Sequence, residues 1–380
     1  MKTIIYAGPF QMPDKNAAAH RVLNNAKIFK KCGFEVVFAG LNPDAEPFFE
    51  KTYYEYEGFP IYELKAAGSF EKFKVFAATN WMEYLCGKYD VCAVIAYDYY
   101  AYSLIELAKF FRKKSIPVIA DTDEWFKATG KSIAERIIRK VDSELRMRVL
   151  QPRADGIIAI SSFLADYYKK KTCTVKIPPL VDKNEEKWLG EETPDENILN
   201  LVYSGSPGVA KDKLSLMVKL VSKAKTDYHV KLTVIGVTEK DFLAFNPQSE
   251  NDLKTSVGEI VFLGRVPHSE ALKQLKKADF SIFLRDINRV STAGFPTKFV
   301  ESISAGVPVI TNKTSDLANY LKNGENGFLL SEDFEIELEK IFSMKLCDLK
   351  SVRDGVRSDM FHYEKYVSEM QGIIGVINGK

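Results

Sequence analysis

Residues 294–301, with the sequence GFPTKFVE, combine residue types whose spacing suits an anion and a diol. Pro296 is favoured where a helix begins, and Lys298 and Glu301, three residues apart, would share one face of that helix. A lysine beside the positive end of a helix is unfavourable unless an anion is bound there. The carboxylate one turn further on could accept hydrogen bonds from both hydroxyls of a ribose. An intrahelical Lys298–Glu301 ion pair explains the same spacing, and the residues alone leave both interpretations open.

Residues 204–208, with the sequence SGSPG, form a second candidate between an apolar run and a helical pattern. Gly205 allows a ligand to approach the backbone closely, and the start of a helix presents unpaired N–H groups. Because Lys211 adds a full positive charge, the segment suits a phosphate. It is neither a GxGxxG nor a Walker sequence, and a tight strand-to-helix turn that binds nothing explains it as well.

Three acids, Asp121, Asp123 and Glu124, follow the predicted strand 117–120. At the carboxyl end of a strand, such carboxylates could act as general bases. Solvated loop acids or helix caps are the alternative interpretation.

Short apolar runs alternate with helical patterns along almost the whole chain. In the first half the predicted strands are 3–7, 35–39, 91–96, 117–120 and 156–160, and the predicted helices include 17–31 and 103–114. In the second half the predicted strands are 199–204, 231–235, 259–263, 280–284 and 308–311, and the predicted helices are 213–224, 296–305 and 317–321. This alternation indicates parallel sheets covered by helices on both faces.

Adjacent prolines and a polar run separate the two halves. We therefore predict a Rossmann-like domain over 1–180, a linker over 181–197 and a second Rossmann-like domain over 198–355. The helices predicted in 356–380 have no strand of their own to cover. The predicted fold class is α/β, with two doubly wound domains facing across a cleft. Ligands are expected at the carboxyl ends of the strands and in that cleft.

The composition excludes several classes of protein. Of the 380 residues, 46% are hydrophobic and 27% are charged, which is typical of a soluble globular chain. The net charge of +2, from 53 basic and 51 acidic residues, indicates no nucleic-acid partner. Five scattered cysteines and four histidines predict neither a disulfide scaffold nor a metal site.

The first apolar run ends at Gly8 and Pro9 and is shorter than the roughly 7–15 apolar residues of a secretory signal. No apolar stretch reaches the roughly 18 residues that span a bilayer. We therefore expect a cytoplasmic protein, for which any contact with the inner face of the membrane would be peripheral.

Residues 133–150 form a basic amphipathic pattern. The apolar residues at helical spacing are Ile137, Ile138, Val141, Leu145 and Val149, and the basic residues around them are Arg136, Arg139, Lys140, Arg146 and Arg148. Such a helix could lie on an anionic membrane or hold a lipid pyrophosphate. A core-packing helix with a solvated charged face is the default for this periodicity, and we expect that arrangement.

Residues 294–310, GFPTKFVESISAGVPVI, strongly resemble the donor-site segment of the family 4 retaining glycosyltransferases. The resemblance covers nearly the whole chain: residues 8–9 and 17–21 resemble the family's first turn and helix, and residues 324–329, GENGFL, resemble its "NGENG-(F/L)-L" ending. It implies the GT-B fold, with a Rossmann-like acceptor domain over 1–180 and a Rossmann-like nucleotide-sugar donor domain over 198–355. It also implies that the helices in 356–380 cross back toward the first domain. The "GFPTK" variant resembles a subset linked to surface-polysaccharide biosynthesis.

The resemblance implies roles for individual residues. Lys211 matches the lysine that holds the donor diphosphate, and Glu301 matches the glutamate that binds the donor ribose. On the donor side the resemblance also implicates Gly205, Ser206, Gly264, Arg265, Val266, Arg285, Gly294, Phe295, Pro296 and Thr297. On the acceptor side it implicates Gly8, Pro9, His20 and Arg21.

Three positions depart from the family pattern. Ser206 stands where many members have an arginine, and Ala293 stands where many have a glutamate that contacts the transferred sugar. The acids after residue 120 stand where many members have a histidine. In the GFPTK subset, Lys298 and Arg285 would take over part of the cationic role.

The resemblance implies a metal-independent, retaining transfer of a sugar from a nucleotide-sugar donor to a glycan or lipid-linked acceptor. It would serve capsule, exopolysaccharide or O-antigen assembly and need no cofactor besides the donor. Lys211 and Lys298 would stabilise charge on the leaving phosphate, and Asp121 and Glu124 would be acceptor-side bases. Three alternatives stay open: a nucleotide-sugar 2-epimerase, a non-catalytic subunit that binds nucleotides or glycans, and a dehydrogenase, which the missing GxGxxG after residues 3–7 disfavours.

Overall fold

The structure is a computed structural model of the 380-residue chain. It describes residues 1–13, 16–46, 49–66, 68–125, 132–190, 192–205, 212–331 and 333–379. The chain divides into two compact units. Unit 1 consists of Met1–Val181, Ala293–Phe295 and His362–Lys380, and unit 2 consists of Asp182–Thr292 and Pro296–Phe361.

The strands of the described residues form two sheets. They are β1 Thr3–Ala7, β2 Glu35–Leu41, β3 Tyr54–Tyr56, β4 Phe59–Leu64, β5 Val91–Tyr97, β6 Val118–Thr122, β7 Gly156–Ala159, β8 Cys173–Lys176, β9 Ile198–Ser204, β10 His229–Ile235, β11 Glu259–Gly264, β12 Phe280–Phe283, β13 Val309–Asn312 and β14 Gly327–Leu330.

Helices connect most of these strands. They are α1 Ala17–Lys31, α2 Ser69–Ala77, α3 Asn80–Lys88, α4 Ala101–Lys113, α5 Ile133–Leu145, α6 Ser162–Tyr168, α7 Leu214–Ser222, α8 Glu239–Phe245, α9 Glu250–Lys254, α10 His268–Lys276, α11 Arg289–Ala293, α12 Thr297–Ser304, α13 Phe334–Phe342, α14 Leu346–Ser351 and α15 Gln371–Ile377. In the part of the chain that the structure describes, no helix combines the length and the apolar character that crossing a bilayer requires.

The unit 1 sheet has the strand order β3-β4-β2-β1-β5-β6-β7-β8. All neighbours pair in parallel except β3 and β4, which are antiparallel. The chain builds the sheet outward from β1 in one direction and then from β5 in the other. The switch point therefore lies between β1 and β5.

The unit 2 sheet has the order β11-β10-β9-β12-β13-β14, and all its strands are parallel. Its switch point lies between β9 and β12. The predicted fold class, α/β with two Rossmann-like sheets, is confirmed.

Local sequence explains the best-predicted elements. All five residues of β1 are buried, as expected for a strand with helices on both faces. Helix α1 has the predicted bounds, because Asn16 caps it by accepting a hydrogen bond from the Ala19 backbone N–H at 2.9 Å. At the other end Gly33 takes a positive φ of 88°, which suits a glycine after a helix.

Some predicted elements differ from the structure. Strands β3, β4, β8 and β14 were not predicted; three of them have only three or four residues, too few for a clear alternation. The helix predicted at 317–321 is only a 3₁₀ turn, Leu317–Asn319. The helical pattern over 133–150 is α5 followed by a π-helical turn, Arg146–Leu150.

The expected core packing of α5 is wrong. Ser143 is the buried residue of this helix, whereas Ile133, Ile137, Ile138 and Val141 are all exposed. The apolar face of α5 therefore points to solvent.

Candidate functional site

Three charged side chains meet at the carboxyl edge of the unit 2 sheet. The Asp212 carboxylate accepts hydrogen bonds from Lys298 Nζ at 2.6 Å and from Arg285 Nε at 2.9 Å. Lys298 lies in the first turn of α12, and Arg285 lies two residues after β12. The sequence predicted both cations as donor-site residues, and the structure brings them onto one carboxylate.

The sheet topology explains why these residues meet. Gly205 follows β9 and Arg285 follows β12, and these strands are neighbours at the switch point. Asn312, at the end of β13, holds the Arg285 backbone: Arg285 N donates to Asn312 Oδ1 at 2.8 Å, and Asn312 Nδ2 donates to the Arg285 carbonyl at 2.9 Å. Doubly wound sheets bind ligands at such strand ends.

Tyr203 and Gly205 shape the space around the Lys298 ammonium. The Tyr203 hydroxyl donates to Asp212 Oδ2 at 2.8 Å, and Lys298 Nζ lies 4.2 Å from the centroid of the Tyr203 ring. Burial and the Asp212 charge raise the pKa of Tyr203, so its hydroxyl stays a donor. A Cβ at Gly205 would lie 2.8 Å from Lys298 Nζ, so a side chain there would displace the lysine.

The cluster carries two positive charges and one negative charge. The exposed side-chain fractions are 4% for Asp212, 14% for Lys298 and 17% for Arg285. Burial raises the pKa of Asp212, but the two cations outweigh it and hold that pKa below its ordinary value. Burial lowers the pKa of Lys298 in spite of Asp212. An excess positive charge with part of its surface open suits an anion that offers several oxygens.

Glu301 lies one turn after Lys298 on α12 but has a different partner. His268 Nε2 is 3.6 Å from Glu301 Oε1. The intrahelical Lys298–Glu301 pair, one of the two interpretations of this spacing, is not found, because Lys298 reaches Asp212 instead. The Glu301 side chain is 34% exposed, so a ligand hydroxyl could reach it.

Gly264, Arg265 and Val266, also predicted donor residues, lie at the end of a different strand of unit 2. Gly264 ends β11, and beyond it Arg265 is exposed and Val266 is half-buried. Ser206 and Lys211 lie outside the described residues, so their roles stay predictions.

The segment before α12 belongs partly to each unit. Pro296 is the N-cap of α12, and Thr297, its first residue, is exposed. Gly294 and Phe295 group with unit 1, as does Ala293, which is fully buried. The position where the family often has a glutamate therefore has no room for an acidic side chain in this chain without repacking.

Asp121 is the centre of a buried hydrogen-bond network in unit 1. Its side chain is 0% exposed, and that of Arg21 is 4% exposed. Arg21 donates to Asp121 Oδ1 from Nε at 2.9 Å and from Nη2 at 2.6 Å, and the Tyr6 hydroxyl and Asn25 Nδ2 donate to Oδ2. The solvated-loop interpretation is wrong for Asp121, which lies within β6. This geometry favours a structural role for the Arg21–Asp121 pair.

The remaining predicted acceptor-side residues follow β1 or β6, except His20, which lies in α1. Gly8 follows β1, and a Cβ there would lie 2.4 Å from the Tyr97 carbonyl oxygen, so only glycine fits. Pro9, His20 and Glu124 are half-buried. Their roles toward an acceptor stay predictions.

Asp212 is the central residue that the sequence did not reveal. It stands in a Lys-Asp-Lys run, which resembles any solvated charged turn. Tyr203 and Asn312 were missed as well. Each is a polar residue at or next to the end of an apolar strand, and a search of the strand ends for such residues would have found them.

Comparisons with known proteins give a family match for part of the chain and a set of similar solved structures. Residues 199–343 match the family described as Glycosyl transferases group 1. No curated protein matches the chain. Among solved structures, sucrose-phosphate synthase from Thermosynechococcus elongatus has a TM-score of 0.70 at 13% identity, over 100% of both chains. Anabaena Alr3699/HepE in complex with UDP and glucose has a TM-score of 0.64 at 14% identity, over 100% of both chains. The lipopolysaccharide outer core galactosyltransferase WaaB, in its apo form, has a TM-score of 0.60 at 15% identity, over 99% of both chains.

These findings define the fold of the chain and the family that residues 199–343 resemble. The structural matches, at such low identities, show the fold, which is GT-B. The match over 199–343 makes that segment a group 1 glycosyltransferase domain. The chain therefore has the GT-B fold, and its residues 199–343 are similar to the group 1 glycosyltransferases.

Proposed function

We propose that Lys298 and Arg285 bind the diphosphate of the nucleotide-sugar donor. The observation that carries this proposal is their convergence on Asp212, at 2.6 and 2.9 Å, beside the switch point of the unit 2 sheet. One carboxylate balances only one of the two cations. A diphosphate would satisfy the second positive charge and accept further hydrogen bonds from both side chains.

In the proposed reaction, the bond between the anomeric carbon of the sugar and the β-phosphate oxygen breaks. The acceptor oxygen forms a new bond to the same face of that carbon, and the acceptor proton passes to the leaving phosphate. Negative charge develops on the diphosphate during this step. Lys298 and Arg285 would stabilise it without reorganisation, because Asp212 and Asn312 already hold them in place.

Glu301 would bind the two hydroxyls of the donor ribose. It stands on the same helix as Lys298, one turn further from the N-terminus, and its carboxylate is partly exposed. His268, 3.6 Å away, would help to hold the carboxylate.

Uridine diphosphate sugars are the first donors to test. The Anabaena Alr3699/HepE structures contain UDP or UDP-glucose, and their chain is similar to this one over its whole length. We propose a glycan or lipid-linked acceptor in surface-polysaccharide assembly. The GFPTK sequence and the likeness to the galactosyltransferase WaaB support this acceptor class.

The first experiment measures thermal stability against nucleoside diphosphates and nucleotide sugars. A ligand at about a hundred times its dissociation constant stabilises the protein by about 2.7 kcal/mol, which shifts the midpoint measurably. We expect stabilisation by the compounds of one nucleotide base. If none of them stabilises the protein, the donor assignment is contradicted.

The second experiment tests the cationic role with Lys298→Met, which keeps the apolar stem over the Tyr203 ring. We expect turnover to fall about 10²–10³-fold, as for other losses of one charge-stabilising donor. Lys240→Met, at an exposed position of α8, is the matched control and should leave turnover unchanged. Equal turnover of the two variants would refute the role. Conversion of the donor sugar without any acceptor would instead favour an epimerase.

A further inference from the structure

The amphipathic helix α5 presents its apolar face to solvent. The exposed fractions are 70% for Ile133, 58% for Ile137, 62% for Ile138 and 60% for Val141. With 3.6 residues per turn, these side chains lie on one side of the helix. Soluble proteins rarely leave such a contiguous strip uncovered unless it binds something.

The opposite face of α5 is attached to unit 1 through polar contacts. The Asp142 carboxylate accepts a hydrogen bond from Ala101 N at 2.8 Å, at the start of α4. One turn on, Arg146 Nη1 donates to Asp98 Oδ1 at 2.6 Å and to the Tyr99 carbonyl at 3.1 Å. The outward apolar face therefore results from specific contacts of the polar face, and not from a helix that has failed to pack.

Cations line one edge of the apolar strip. Arg136 and Lys140 are four residues apart, are exposed, and have no ion-pair partner among the described residues. Arg139 and Arg148 are paired with Glu135 and Glu144. Over residues 133–148 five basic and three acidic side chains leave an excess of positive charge.

We propose that α5 docks unit 1 on the surface of an anionic lipid bilayer. The apolar side chains that would enter the region between headgroups and acyl chains are Ile133, Ile137, Ile138 and Val141. The aliphatic stems of Arg136 and Lys140 would extend toward the headgroups, where their charged ends bind lipid phosphates. The 13-residue helix is about 20 Å long, and because one of its faces is apolar and the other polar, it would lie in the plane of the interface.

Charge favours a bilayer over a second copy of this chain. In a symmetric dimer the same patch faces itself, so α5 would bring its excess cations together. An anionic bilayer supplies the complementary charge and an apolar layer at once. Arg146 ties α5 to Asp98, directly after β5, so the docked surface lies beside the carboxyl edge of the unit 1 sheet. This inference goes beyond the proposed reaction and stands on α5 alone.

Vesicle flotation tests the proposal with the full-length protein. We expect binding to vesicles of phosphatidylcholine with phosphatidylglycerol, weaker binding to pure phosphatidylcholine, and loss of the difference at high salt. The double variant Arg136→Gln/Lys140→Gln should weaken binding to the anionic vesicles about tenfold or more. The double variant Ile137→Ser/Val141→Ser should weaken binding to both vesicle types.

Matched controls remove the same groups from exposed positions of unit 2. They are Lys240→Gln/Lys313→Gln for charge and Val257→Ser/Ile336→Ser for apolar surface, and both should bind like the wild type. Circular dichroism and the unfolding midpoint verify that all variants fold.

Two results would overturn the proposal. One is the absence of vesicle binding that depends on α5: either the wild-type protein does not bind anionic vesicles, or the α5 variants bind them as well as their controls do. The other is a concentration-dependent dimer that the Ile137→Ser/Val141→Ser variant dissociates, without vesicle binding, which would assign the face to a second copy. Neither result depends on donor binding, so failure of the proposed reaction is separately detectable.

Discussion

Each unit places an aspartate at the carboxyl edge of its parallel sheet, where an arginine and a tyrosine hydroxyl hydrogen-bond to it. In unit 1, Asp121 is matched by the single cation Arg21, and both side chains are almost completely buried. In unit 2, Asp212 faces the two cations Arg285 and Lys298, whose side chains are 17% and 14% exposed. The same kinds of residue therefore form a closed, balanced pair in one unit and an open, positively charged cluster in the other.

The difference shows that charge balance distinguishes an ion pair that stabilises the fold from a cluster that can bind an anion. A buried one-to-one pair has no capacity left for a ligand, and removing either partner leaves an unpaired charge inside the protein. A cluster with one cation in excess keeps electrostatic attraction for an anion, and its open surface gives that anion access. We therefore expect substitutions in the Asp121 pair of unit 1 to lower mainly the stability of the protein. Substitutions in the Asp212 cluster of unit 2 should change mainly ligand binding and turnover.

The largest effect should follow from Asp121→Asn. It leaves the Arg21 charge buried without a counter-charge, so we expect the free energy of unfolding to fall by about 3–5 kcal/mol. Chemical denaturation measures this change. The matched variant Asp212→Asn should lose much less unfolding free energy, because water reaches the charged groups of Lys298 and Arg285. Equal losses in the two variants would break the comparison.

Gly205→Ala should lower turnover roughly 10–100-fold, since its Cβ would lie 2.8 Å from Lys298 Nζ and move the ammonium away from the donor. The measurement is steady-state kinetics with the donor that the thermal panel identifies. Gly87→Ala is the control, because no atom lies within 4 Å of a Cβ at that helical position. Unchanged kinetics for Gly205→Ala would mean that the position of Lys298 does not matter for turnover.

Asp212→Asn should strengthen the binding of a nucleoside diphosphate by about tenfold, which corresponds to about 1.4 kcal/mol. The reason is that Asp212 competes with the phosphates for Lys298 and Arg285. Isothermal titration calorimetry with UDP provides the test. Weaker binding would show that Asp212 acts mainly by orienting the two cations.

The smallest effect concerns the pH dependence of stability. The folded-state pKa of Asp212 lies below its ordinary value of 3.8, although burial opposes this, because Lys298 and Arg285 favour the charged form. Its stabilising contribution is therefore complete above about pH 5 and is lost as the pH falls through the folded-state pKa. The difference in unfolding free energy between the wild type and Asp212→Asn should be constant from pH 5 to 7 and shrink below pH 4. If this difference in unfolding free energy stays constant down to pH 3, the ion pairs of Asp212 with Lys298 and Arg285 do not contribute to stability.

Much of the fold could be predicted because the signals are local. The apolar strands and the bounds of α1 follow from periodicity and from the Asn16 cap. The short strands β3, β8 and β14 are not predicted by periodicity, because three or four residues are too few to show an alternation. Their extended conformation is fixed by pairing with neighbouring strands. Helix α5 was recognised as amphipathic, yet its orientation was predicted wrongly. Periodicity gives the width of an apolar face but not its direction, which the contacts of Asp142 and Arg146 decide.

The sequence by itself predicted the fold class, the helix α12 and the candidate cations Lys298 and Arg285. All of these depend on residue types at short spacing along the chain. Only the tertiary structure decided which charges meet: Asp212 lies 73 residues from Arg285 and 86 from Lys298, and Asp121 lies 100 residues from Arg21. Electrostatic partners depend on distance in space, and parallel sheets bring together strand ends that are far apart in sequence.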